Sequence, residues 1–175
     1  MAVRDILRLG NPKLLEVCAP VREDEVEKLE PVFTDMHDTL MDFRERYDAG
    51  RAIAAPQIGV MKRIIYLHIK EPKIFLNPTL FKKSDETITL WDDCMCFPDL
   101  LVRVERHREC SISYRDPEWN KRTERLEGDL SELLQHECDH LFGILAVSRA
   151  IDGRSFALRS EAIHLNAPLA NQHSQ

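Results

Sequence analysis

The chain has 175 residues, 43% of them hydrophobic and 31% charged, with a net charge of −6 and a pI of about 5.7. That length lets one domain bury its own core, and the composition is that of an ordinary globular protein rather than a disordered or fibrous one. The acidic balance argues against a nucleic-acid site or a membrane surface as partner, because both want a basic face.

No segment approaches the ~18 uninterrupted apolar residues that a spanning helix needs. Residues 1–5 lack the apolar core of a signal peptide. The five cysteines, Cys18, Cys94, Cys96, Cys110 and Cys138, are odd in number and irregularly spaced, which argues against a disulfide framework. A reducing cytoplasm is the expected setting, and there a cysteine near histidines reads as ligand or catalyst.

Residues 1–22 read as extended and loop-rich, with Pro12 and Pro20 as breakers. Residues 24–47 read as helix, since Leu29, Val32, Phe33, Met36, Leu40 and Phe43 recur at three- and four-residue steps. Asp24 is a candidate cap, while Pro31 suits a first turn and argues for a later start. His37 falls off the apolar stripe and is expected on the solvated surface. From residue 50 to 115 the period changes. Residues 63–69, 74–78, 79–81, 87–91 and 109–114 are short and rich in β-branched or aromatic residues, as strands of an antiparallel sheet system are. A turn over 115–123 and a strand through 124–126 follow.

A second helix is expected over 130–141. Gly128-Asp129 opens it, Asp129 and Glu132 have the capping-box spacing, and Gly143 closes it. Leu130, Leu133, Leu134, Cys138 and Leu141 cover one broad face, so this helix should be deeply buried. The expectation is an α+β fold, with antiparallel sheets around a buried central helix and the N-terminal helix packed outside. A single domain over 1–165 and a flexible tail over 166–175 complete it.

Residues 136–140 read His-Glu-Cys-Asp-His, an H-E-x-x-H on the buried helix. Histidines at i and i+4 share one helix face and can hold one cation, and Glu137 lies about 100° round the helix. There it can handle the proton of a water activated by the metal. Two imidazoles and two carboxylates in a leucine-rich helix would be costly to bury unpaired, and a metal removes that cost. Asp139 can orient a ligand histidine or form an ordinary salt bridge, and Cys138 reads as a core thiol. A third ligand is best sought in residues 91–98. One thiolate there leaves the metal open for catalysis, whereas Cys94 and Cys96 together would close it. The open site is favoured, since residues two apart on an extended chain lie ~6.6 Å apart and a closed site would leave Glu137 idle. In the small-residue loop 50–59, Gln57 can aim its amide at a developing oxyanion, or the loop can simply pack on a sheet.

These three segments together resemble the peptide deformylase family, which carries G-x-G-x-A-A-P-Q-x-G, then E-G-C-L-S, then Q-H-E-x-D-H. The third motif stands intact as Gln135-His136-Glu137-Cys138-Asp139-His140. The first survives as Gly50, Ala54-Ala55-Pro56-Gln57 and Gly59, with Ala52 in place of the second glycine; the middle one is Asp92-Asp93-Cys94-Met95-Cys96. With the Leu9-Gly10-Asn11-Pro12 opening, the resemblance runs from about residue 4 to 150. It implies one divalent metal on Cys94, His136 and His140, ferrous iron in the cell and zinc, nickel or cobalt as substitutes. It implies removal of the N-formyl group from the initiator methionine of nascent chains, with a formylated peptide as substrate and a transient contact with the ribosome. Glu137 would shuttle the proton, and Gln57 and the Met95 N–H would hold the oxyanion. Gly50, Arg51, Ala52, Arg106, Glu132 and Leu133 would face the peptide. Arg51 and Glu132 stand where the family pattern is apolar, so the first side-chain pocket is polar, with an Arg51–Glu132 pair, or Arg51 faces solvent and Glu132 caps its helix. Two other readings of the same residues are an amidase for another N-formyl or N-acyl compound and an inactive paralogue that binds metal or peptide.

Overall fold

The computed structural model of the chain describes residues 2–170. Its first long element is helix α1 (Val26–Tyr47), entered through a 3₁₀ turn at Glu23–Glu25. Phe33, Met36, Leu40 and Phe43 are buried along one stripe, as the periodicity requires. Pro31 sits inside the helix rather than at its start. It is tolerated because it and Glu27, whose carbonyl it leaves unbonded, lie on the exposed face. Asp24 caps nothing and pairs instead with Arg22. His37 is half-buried, with Nδ1 2.6 Å from the Tyr66 hydroxyl. It has left the solvated surface because a sheet residue offers it a polar partner.

Strands β1 (Ala52–Ala54), β2 (Ile64–His68), β3 (Pro72–Phe81), β6 (Glu109–Arg115) and β7 (Lys121–Glu127) form one antiparallel sheet in the order β1-β2-β3-β6-β7. The segments 74–78 and 79–81 are a single strand with a register shift between Leu76 and Thr79. Pro78 has no N–H for the ladder, and Asn77 turns to φ 51° and bonds the Val21 backbone in both directions. A second sheet joins β4 (Thr87–Asp93), β5 (Leu100–His107) and β8 (Phe156–Leu158) in the order β4-β5-β8.

Helix α2 (Asp129–His140) lies against the first sheet, opposite α1. Its Leu133, Leu134, Cys138 and Leu141 pack on Ala54, Ile65, Phe75, Ile112 and Leu126. Leu134 is fully buried, and burying such a side chain stabilises by roughly 2–3 kcal/mol. On the other face, Met36 and Leu40 of α1 meet Ile53, Ile64 and Leu76. The expected capping box is not formed. Gly128 caps α2 at φ 55°, Asp129 is exposed, and Glu132 turns inward. Residues 166–170, expected as loose tail, are paired: Trp91 N–H donates to the Pro168 carbonyl at 2.9 Å and Ala170 N–H to the Trp91 carbonyl at 3.0 Å. The rest of the tail, 171–175, lies outside the described residues.

Candidate metal centre

α2 presents His136 and His140 one turn apart, their Nε2 atoms 3.1 Å from each other. The turn that follows β4 brings Cys94 Sγ to 3.4 Å from His140 Nε2. The three donor atoms lie within 4.8 Å of one another, all buried, and no other group of this kind occurs among the described residues. Cys96, the alternative fourth ligand, is outside the group; its Sγ lies 3.6 Å from Gln57 Nε2. The open three-ligand set is therefore the one the fold builds. A divalent ion fits it: two imidazole nitrogens and a sulfur, all buried, converge within reach of one cation and leave a further position open. Buried His140 Nδ1 and Glu137 Oε2 also have no partner among the described residues.

Behind the ligands runs a charged chain. His136 Nδ1 lies 2.9 Å from Asp92 Oδ2, the same oxygen accepts from Arg106 Nη2 at 3.1 Å, and Arg106 Nη1 donates to Asp139 at 2.5 Å. Arg149 closes it on Asp139 at 2.8 Å. A carboxylate on Nδ1 fixes the ring's orientation and leaves Nε2 to the metal. Burial works against the His136 cation, but Asp92 outweighs it and pushes the pKa up to about 10. Burial opposes the Asp92 anion too, yet His136 and Arg106 hold it down to about 2. His140 is pushed well below its usual range by burial and then by the His136 charge. Burial also drives Glu137 up to about 7 and the Cys94 thiol far up.

Arg106 is thus the expected residue that the fold places elsewhere. It is 4% exposed on β5, holding Asp92 and Asp139 behind the ligands, and takes no part in the cavity before them. The other expected residues gather at that cavity, with Gly50, Arg51, Ala52, Glu132 and Leu133 along its walls beside Glu137, Gln57 and Met95. Gln57 accepts from Ala54 N–H at 2.7 Å, which turns its Nε2 donor toward Cys94 at 3.7 Å. Arg51 does not face solvent. Its Nη2 is 2.5 Å from Glu132 Oε1, with the side chains 11% and 3% exposed. Burial, then the Asp92 charge, pushes Glu132 up to about 7 against the pull of Arg51.

Three comparisons bear on this geometry. The family model described as polypeptide deformylase matches residues 3–155. The chain belongs to the peptide deformylase family. Among curated deformylases, that of Leptospira biflexa is 32% identical, covering 92% of this chain and 95% of its own. That of Pelagibacter ubique is 37% identical over 84% and 86%. The crystal structure of the Thermotoga maritima deformylase superposes with a TM-score of 0.78 at 29% identity, covering 87% of this chain and all of that one. An actinonin-bound deformylase from Acinetobacter baumannii gives 0.78 at 28% identity over 85% and 99%. These are metal-dependent amide hydrolases, and the α+β fold is theirs.

Where this deformylase departs from the family motifs, the structure shows how it copes. Asp93 replaces a glycine without taking a positive φ, and its carboxylate meets Arg159 Nη2 at 2.6 Å. Arg159 also donates to the Pro98 carbonyl at 2.8 Å and lines the cavity, with Ala170 beside it. The N-terminal segment pins the same region. Leu7 N–H donates to the Gln57 carbonyl at 2.8 Å, Leu9 N–H to the Cys96 carbonyl at 3.0 Å, and Arg8 Nη1 to the Met95 carbonyl at 2.7 Å. Arg8, Arg159 and Ala170 carry no motif, and their part in the site was not legible in one sequence.

Proposed function

We propose that this deformylase removes the N-formyl group from the N-terminal methionine of nascent polypeptides, in the cytoplasm. Residues 1–165 would act as a single catalytic domain, in transient contact with the ribosome. Cys94, His136 and His140 would hold one divalent ion, ferrous iron in the cell, with zinc, nickel or cobalt able to replace it. The observation that carries the reading is the convergence of these donors beside Glu137, a buried carboxylate whose Oε2 has no partner among the described residues.

Held by Cys94, His136 and His140, a divalent ion would supply Lewis acidity to the formyl oxygen and to water. The chain's own residues do the rest. Gln57 Nε2 and the Met95 N–H donate to the oxygen as it gains charge, and fixed donors of this kind are worth roughly 10²–10³ in rate. Glu137, with a pKa raised to about 7 by burial, is tuned to take a proton from water and return it to the leaving amine near neutral pH. Asp92 holds the His136 ring in register. Gly50 and Ala52, which line the same cavity, would face the peptide backbone.

The test pairs metal analysis of anaerobically purified protein with deformylation of a formyl-Met-Ala-Ser peptide. The expected result is about one metal per chain, with Glu137→Gln slower by roughly 10²–10⁴-fold at unchanged metal content. Equal rates for the wild type and the variant would refute the role of Glu137.

A further inference from the structure

The cavity that holds the reaction centre has one wall of unusual chemistry. Phe43, Ala49 and Leu133 give it apolar lining, and Arg51 and Glu132 add a buried ion pair. Glu132 precedes His136 by four residues on α2, about 6 Å along the helix axis. That is the reach of a four-atom side chain from a formyl carbon poised at the ligands. The side chain of the deformylated residue starts three bonds from that carbon, so it must enter this same cavity and end near the pair. Arg51 gives Nη2 to Glu132, but its Nε–H is buried without a partner among the described residues.

We propose, resting on the deformylase reading, that the Arg51–Glu132 pair sets first-residue specificity. The cavity takes a neutral side chain of methionine length with a hydrogen-bond acceptor near its end, such as glutamine or methionine sulfoxide, at least as well as methionine itself. An acceptor there completes the Arg51 Nε–H, whereas a thioether is too weak an acceptor to do so. A buried donor left unmet by a bound ligand costs about tenfold or more in affinity. Charged side chains are disfavoured. A carboxylate would join Asp92, Asp93, Glu132 and Glu137, which already line the cavity, and an ammonium would compete with Arg51 for Glu132.

The test compares formyl-Gln-Ala-Ser, formyl-Met(sulfoxide)-Ala-Ser and formyl-Met-Ala-Ser, where glutamine and methionine are close in size. kcat/KM is measured on cobalt-loaded protein, and Kd for the same peptides on metal-free protein by calorimetry. The wild type should process at least one polar peptide as well as formyl-Met or better. Arg51→Leu/Glu132→Met should move the preference toward methionine by about tenfold; Arg51→Gln, which keeps a polar wall, serves if the double variant does not fold. A wild-type preference for formyl-Met over both polar peptides overturns the proposal. If no peptide is deformylated, the deformylase reading fails by itself, and the order of the Kd values decides the specificity.

Discussion

Glu137 is fully buried with Oε2 unpartnered, so replacing it by glutamine should reshape the pH dependence of stability in the metal-free protein. Burial raises its pKa from 4.5 to about 7. For an acid, that direction means the folded state binds its proton more tightly than the unfolded chain. Wild-type stability must then fall as pH rises from about 4.5 to about 7 and flatten above, where both states are ionised. A shift of this size corresponds to about 3 kcal/mol at 1.36 kcal/mol per pH unit. Glu137→Gln removes the titration while keeping the shape. Urea unfolding of both proteins at pH 5, 6, 7 and 8 should therefore show the variant gaining on the wild type by about 3 kcal/mol across that window. Parallel stability curves would refute the idea that the carboxylate is buried against its ionisation. Metal-loaded samples are the internal contrast, since a cation favours the Glu137 anion and should shrink the difference.

Three further outcomes follow from packing and charge. Arg106→Ala takes from Asp92 and Asp139 the buried cation they share and leaves them only His136 and Arg149, which should cost about 3 kcal/mol by denaturant titration. Gly143→Ala should be poorly folded: at φ 70° an added Cβ would stand 2.3 Å from the Leu15 carbonyl oxygen, and strain plus overlap total about 2 kcal/mol or more, read as a lower unfolding midpoint. Arg159→Ala breaks a half-exposed pair and should leave stability within about 1 kcal/mol. It should still lower kcat/KM several-fold, because the turn beside Cys94 loses the bond that ties it to residue 159; unchanged kcat/KM would show that the pairing is cosmetic.

The parts of this molecule that were legible in sequence are those whose determinants lie close together in the chain. The 3.6-residue period of α1 and α2, and the H-E-x-x-H with its i, i+4 geometry, need no knowledge of distant partners. The parts that were missed are set from afar. Glu132 has capping-box spacing from Asp129, yet Arg51, 81 positions earlier, offers a buried charge and wins the side chain. His37 looks solvated until Tyr66 is folded against it. β5 hides because Arg103, Glu105 and Arg106 interrupt its apolar run, and Arg106 is buried only through two carboxylates on other elements. Counting back from the Tyr114-Arg115 pair put Arg106 near the substrate; the strand's alternation turns it toward Asp92 instead.

The last described stretch of chain closes the small sheet on both sides, β8 pairing with the central β5 and residues 168–170 lying on β4. Its Arg159 also grips Asp93, next to the thiol ligand. The order of synthesis then matters. His136 and His140 lie on α2, complete by residue 140, but the loop bearing Cys94 acquires its final bracing only after residue 170 has been made. For a protein whose proposed substrates are themselves nascent chains, a reaction centre braced by residues from Leu7 to Ala170 is complete only once that whole stretch has been made.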